Sequence, residues 1–200
     1  MSETPRLETA LHYLRGSQRG ASDESPGLTV VESALCRHLS IRGRAESPGF
    51  ADAIRSVTGM TLPTSPLSCE SSANAHIFWQ GPSEWMLVVE QQGSETMESD
   101  LCKALAGEQA AVVDVSGGQT LLTLSGPALA EVLQKSSPYD FHSSNFLPGK
   151  CVQTTFGKAG ALVAQLEDHS VALLVRRSFS DYIGRWLLDA AAEYGVQISR

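Results

Sequence analysis

The side chains that could do chemistry are few and scattered. The five histidines, His12, His38, His76, His142 and His169, form no H-x-x-x-H pair, and the four cysteines, Cys36, Cys69, Cys102 and Cys151, stand 33, 33 and 49 residues apart. A metal centre needs several such ligands converging. Cys36 and His38 are two apart, but nothing nearby supplies the remaining ligands. A Cys151 nucleophile activated by His142 would require the fold to bring the two together. At the start of a strand, Cys151 reads more simply as an inert buried thiol.

The glycine pair in Val115-Ser116-Gly117-Gly118-Gln119 invites comparison with phosphate loops. It lacks both the G-x-G-x-x-G and the G-x-x-x-x-G-K-[ST] spacing, and a strand follows it, so a tight hairpin turn is the expected role. No G-x-S-x-G elbow is present. Asp114, at the end of an apolar strand, is expected to accept from the amides of that turn. Asp140-Phe141-His142 sets an acid and a base beside Tyr139 and Phe146, with loop packing as the plainer reading. The segment Arg176-Arg177-Ser178-Phe179-Ser180-Asp181-Tyr182 places two guanidiniums between a strand and a helix, where they can bind carboxylate or phosphate in bidentate fashion. With Trp186 added, Arg176, Arg177, Phe179 and Tyr182 are residue types enriched at protein interfaces. These five are the candidate interface residues.

The elements that position them follow from periodicity. Strands are predicted over 28–32, 35–41, 73–79, 85–89, 111–115, 119–124, 151–156, 161–166 and 171–175, with helices over 48–57, 94–105 and 127–135 and from 178 or 180 to 194. Pro48 opens the first helix, Ser125 is expected to cap the third ahead of Pro127, and Gly195 stops the last. Gln80-Gly81-Pro82-Ser83 is a turn joining two strands. The order predicts an α+β fold of two small ferredoxin-like units with mainly antiparallel sheets. The expected division is an N-terminal arm over 1–27, a first unit over 28–108 and a second over 109–200. Gly81-Pro82 and Gly126-Pro127 hint at an internal repeat.

Composition narrows the classes. The chain has 200 residues, 15 Lys+Arg against 22 Asp+Glu and a formal charge of -7. That balance argues against nucleic acid, whose phosphates are bound by concentrated Lys and Arg. Charged residues make up 18 %, below the roughly 25 % usual for globular domains, which suits a permanent partner. No apolar run reaches the length of a membrane span or a signal peptide, so reduced thiols in the cytoplasm are expected.

Four ordered segments carry a resemblance: Trp79-Gln80-Gly81-Pro82-Ser83-Glu84-Trp85-Met86-Leu87-Val88; Val113-Asp114-Val115-Ser116-Gly117-Gly118-Gln119-Thr120 with Leu124-Ser125-Gly126-Pro127; Phe146-Leu147-Pro148-Gly149-Lys150-Cys151; and Arg176 to Tyr182. Together, over residues 28–197, the chain resembles the gamma subunits of heterotetrameric sarcosine oxidase. The resemblance implies an aminomethyltransferase-like fold and a non-catalytic subunit that stabilises alpha, beta and delta partners. It further implies that the complex demethylates sarcosine to glycine with oxygen and tetrahydrofolate, giving hydrogen peroxide and 5,10-methylenetetrahydrofolate. FAD, FMN, NAD, zinc and tetrahydrofolate would then sit in other subunits, and no catalytic, cofactor or metal residue is expected here. The rival expectations are a stand-alone folate-binding or aminomethyl-transfer protein, using Asp114 with Arg176 or Arg177, and an adaptor for another oxidoreductase.

Overall fold

The computed structural model describes residues 8–20, 25–33, 36–89, 95–166 and 169–199. Leu35 and Ser94, where a strand and a helix were expected to begin, lie outside these, as do residues 1–7 and 21–24 of the expected arm.

The chain builds β1 (Gln18–Arg19), β2 (Leu28–Glu32), β3 (Arg37–Arg42), α1 (Pro48–Thr58), β4 (Cys69–Ser71), β5 (Ala75–Gly81), β6 (Glu84–Val89), α2 (Met97–Ala104) and β7 (Ala111–Asp114). It continues with β8 (Gln119–Ser125), α3 (Leu129–Ser136), β9 (Cys151–Phe156), β10 (Ala159–Gln165), β11 (Val171–Arg176), α4 (Ser180–Ala190) and β12 (Val196–Ser199). One sheet has the order β4-β5-β6-β3-β7 and the other β1-β12-β2-β8-β11-β10-β9. All pairings are antiparallel except β12 with β2. The expected α+β, mainly antiparallel class is what the chain adopts.

Both sheets are buried on both faces, which explains why their central strands read as unbroken apolar runs. On the outer face of the smaller sheet, Leu39, Ile41, Ile77, Trp85 and Leu87 pack under Phe50, Ile54 and Leu101 of α1 and α2. On the outer face of the larger, Leu122, Leu124, Val163, Leu173 and Val175 pack under Val132 of α3 and Ile183 and Leu187 of α4. Between the sheets lie Phe78, Met86 and Val88 from one and Leu121, Leu162, Ala172 and Leu174 from the other. The result is four layers, helix, sheet, sheet and helix, each unit carrying strand-helix-strand-strand-strand-helix-strand order.

The units do not separate at residue 108. β2 inserts in the larger sheet between β8 and β12, while β7 pairs with β3 in the smaller. The chain thus crosses between sheets twice, from β2 to β3 and from β7 to β8. The expected arm is also packed where it is described. Leu11 is fully buried and Leu14 nearly so, both in the core of the larger sheet, and β1 pairs with β12. Gly184 makes room for them, because a β-carbon there would lie 2.6 Å from Leu14 Cδ1.

Three local expectations change. Ser125 ends β8 opposite Thr29, and α3 begins after Ala128 with no side-chain cap. Here Gly126, at φ +128°, lets the chain turn against Gly27, whose carbonyl accepts from Ala128 N–H at 2.9 Å. The last helix stops at Ala190, and the chain then turns through Gly195 at φ +77° into β12. Gly81-Pro82 sits in the β5–β6 turn whereas Gly126-Pro127 precedes α3, so the two pairs are not equivalent positions.

Candidate interaction surface

Arg176 ends β11, its backbone opposite Gln119, and its side chain is exposed. The following 3-10 turn, Arg177–Phe179, is fixed by Arg177 N–H donating to Gly118 O at 3.0 Å, which explains the glycine-bearing hairpin turn beneath it. Arg177 Nη2 donates to Glu8 O at 3.0 Å, tying the N-terminal segment to this corner. Phe179 leaves 43 % of its surface open to solvent. Asp181 accepts from Tyr13 hydroxyl and from Arg185 Nε at 2.9 Å, and these hydrogen bonds hold its carboxyl below the usual range.

Tyr182 and Trp186 are committed differently. Their rings stand 6.2 Å apart over Gly157, whose positive φ and missing β-carbon admit the tyrosine. Tyr182 Oη accepts from Lys158 N–H at 3.0 Å, and Trp186 Nε1 donates to Ser136 Oγ at 3.0 Å. Both therefore fasten α4 to the β9–β10 turn and the end of α3. The structure places Arg176, Arg177 and Phe179 together at one corner of the surface, with Tyr182 and Trp186 half-buried along the helix that follows.

A second apolar surface was not among the expected interface residues. Tyr139, Phe141 and Phe146 form an edge-to-face cluster with centroids 4.8 to 6.1 Å apart. Lys150 Nζ closes the loop by donating to Asn145 O and Oδ1 at 2.8 and 3.1 Å. Asp140 Oδ1 accepts from His142 N–H at 3.0 Å, so the pair serves loop packing, the plainer reading of the sequence. Against α3 this loop leaves a groove of about 450 Å³ lined by Leu129, Leu133, Phe141, Phe146, Leu147 and Pro148. Leu147 is 54 % exposed. The sequence signal was there: four large apolar residues within a loop.

Asp114 does what its position predicts. Its Oδ1 accepts from Ser116 N–H at 2.8 Å and Oδ2 from Arg37 Nη1 at 2.8 Å. Hydrogen bonds from Ser116, then the charge of Arg37, keep the carboxyl below its ordinary value. Beside it His38 is buried, and neither ring nitrogen has a hydrogen-bond partner among the described residues. Burial lowers its pKa to about 4 against the weaker pull of Asp114. The cavity that His38 shares with Thr120 and Arg177 holds about 30 Å³. That is room for one or two waters. A pterin needs a pocket roughly ten times larger, and Asp114 is not among the residues lining this one.

The sarcosine oxidase, gamma subunit family matches residues 42–193. The chain belongs to that family. This gamma-family chain is 30% identical over 193 residues to the sarcosine oxidase subunit gamma of Corynebacterium sp. (strain U-96), covering 96% of itself and 92% of that relative. It is equally 30% identical over 195 residues to the subunit gamma of Arthrobacter sp, covering 97% and 92%. Among solved structures it is similar to a chain of the heterotetrameric sarcosine oxidase from Corynebacterium sp. U-96 in complex with pyrrole 2-carboxylate. There the TM-score is 0.83 at 28% identity, covering 94% of this chain and 96% of that one. Aminomethyltransferase T of the Bartonella henselae glycine cleavage system shares the fold alone, at TM-score 0.63 and 12% identity, covering 87% of this chain and 48% of that one.

Proposed function

We propose that this chain is the gamma subunit of a heterotetrameric sarcosine oxidase, a non-catalytic member that holds larger subunits in place. The observation that carries this reading is the two-sided coverage of the match, 94% of this chain and 96% of a chain in the heterotetramer, at a TM-score of 0.83. Its partners are alpha, beta and delta subunits, and the complex oxidatively demethylates sarcosine with oxygen and tetrahydrofolate, releasing glycine, hydrogen peroxide and 5,10-methylenetetrahydrofolate. FAD, FMN, NAD, zinc and tetrahydrofolate belong to those partners. No step of that demethylation is assigned to residues of this chain. No helix of the described residues is long and apolar enough to cross a membrane, and the complex is proposed to work in the cytoplasm. The aromatic groove and the Phe179 corner are the surfaces offered to the larger subunits.

Co-expression of the four chains tests this. The expected result is a complex containing all four, with bound flavin and sarcosine-dependent peroxide release, which loses yield or stability when this chain is omitted. A solitary chain that binds tetrahydrofolate tightly and never co-purifies with the others would overturn it.

A further inference from the structure

Cys69 and Cys151 occupy the seam between the two sheets. Cys69 opens β4 at the edge of one sheet and Cys151 opens β9 at the edge of the other. Ser68 and Lys150 face each other in an antiparallel bridge, Cys69 N–H donates to Gly149 O at 2.8 Å and Cys151 N–H donates to Leu67 O at 2.9 Å. In that register the two cysteines are diagonal neighbours on one face of the bridge. Both belong to the inter-sheet core, at 6 % and 1 % exposure; Cys151 Sγ donates to Ser68 O, the carbonyl preceding Cys69, at 3.1 Å, and the Cys69 thiol is its side-chain hydrogen-bond neighbour. Cys69 also borders an opening of about 90 Å³, lined with it by Glu70, Ser71, Gly149 and Gln165. A small oxidant thus meets Cys69 first, while Cys151 does not line the opening.

We propose that Cys69 and Cys151 are a dithiol that hydrogen peroxide closes into a disulfide, joining the edges of the two sheets covalently. The Cys69 thiolate sulfur attacks one peroxide oxygen, the O–O bond breaks, and the departing hydroxide takes up a proton, leaving a sulfenic acid and water. The Cys151 thiolate then attacks the sulfenic sulfur, the S–O bond breaks, and a second water leaves. Two thiols lose two electrons in total and one peroxide becomes two waters. The hydrogen bond from Cys69 holds the Cys151 thiol below its ordinary range, against the opposite effect of burial. Singly ionised, the pair shares one proton, and its passage from Cys69 to Cys151 leaves the attacking thiolate on Cys69, at the opening, and a proton on Cys151 for the departing hydroxide. The site rests on its own geometry. Only the source of peroxide rests on the oxidase reading above.

The full-length chain is treated with hydrogen peroxide, denatured, alkylated and mapped by mass spectrometry. The expected product has lost two of its four alkylatable cysteines, weighs two hydrogens less, links the Cys69 and Cys151 peptides, and returns to the starting state with dithiothreitol. In Cys151→Ser, or in Cys151→Ala should the buried serine unfold the chain, Cys69 stops at a sulfenic acid trapped by dimedone. The proposal is overturned if both cysteines stay alkylatable while the exposed Cys102 oxidises, or if Cys69 reaches sulfinic acid with Cys151 still reduced. The assembled complex turning over sarcosine, with and without catalase, tests the source separately. Closure by added peroxide but not by turnover leaves the dithiol standing and counts against the oxidase reading.

Discussion

Glu32 shows how a single residue can escape sequence reasoning and still organise the fold. It closes an apolar strand as its one charged residue, yet it is only 2 % exposed. Its carboxylate accepts from Leu11 N–H at 3.0 and 3.1 Å, from Thr9 hydroxyl and from Thr120 Oγ1 at 3.2 Å, with Arg15 Nη2 at 3.9 Å. Its partners lie mostly about twenty residues upstream, beyond a stretch rich in Gly and Ser, so no local pattern announces them. Glu32→Ala would leave those donors buried without an acceptor, at a cost of about 3–5 kcal/mol. Urea unfolding should show that loss, and trypsin should cut at Arg15 and Arg19 many-fold faster. Asp114 was legible by contrast, because its acceptor role is local and needs only the two residues that follow. His38 gives a pH signature. Its folded pKa, about 4, lies below the ordinary 6.5, so below pH 6.5 the unfolded chain binds the proton that the folded chain refuses. Stability should therefore fall by about 3 kcal/mol as pH drops from 6.5 to 4 and show no further loss from this residue at lower pH. His38→Leu should remove that slope from urea midpoints measured at pH 7, 5.5 and 4.

At the level of elements, long periodic segments were readable and short borrowed ones were not. α1 carries its own signals, Pro48 at its start and Gly59 at φ +73° as its C-cap. β12 has only four residues, and β1 only two. Such strands exist because a neighbour offers an edge, and that edge is invisible locally. β2 offers its edge to β12 and β12 to β1, and the insertion of β2 between β8 and β12 is what interlocks the two units. Gly126 permits it: a β-carbon there would lie 2.4 Å from Gly27 O, at a φ that side chains rarely adopt. Gly126→Ala should cost roughly 3 kcal/mol. Thermal unfolding would report the loss, with amide exchange in β2 and β12 accelerating ahead of that in β5 and β6. Uniform acceleration across both sheets would mean that the glycine matters only to global stability.

For the whole molecule, the five residues chosen from sequence divide by what the fold already asks of them, and the division separates folding from assembly. Trp186 spends its indole N–H on Ser136 and packs against the core with Tyr182. Trp186→Ala should therefore lower the melting temperature of the isolated chain as well as its retention in the complex, and cannot distinguish the two roles. Phe179 and Leu147 are 43 % and 54 % exposed, and surface truncations of this kind usually change stability by no more than about 0.5 kcal/mol. Chemistry on the surface was readable in the first case, where a phenylalanine follows two arginines, and hidden in the second, where only the folded loop shows that Leu147 stands outside its aromatic cluster. If either ring or side chain is a hot spot, Phe179→Ala or Leu147→Ala should weaken binding to the larger subunits by about 2 kcal/mol, close to thirtyfold. Dilution of the purified complex followed by size-exclusion chromatography reads that change directly. An unaltered dissociation profile with both variants would place the contact elsewhere. Loss with Leu147→Ala alone would assign it to the groove beside α3, away from the corner at Arg176.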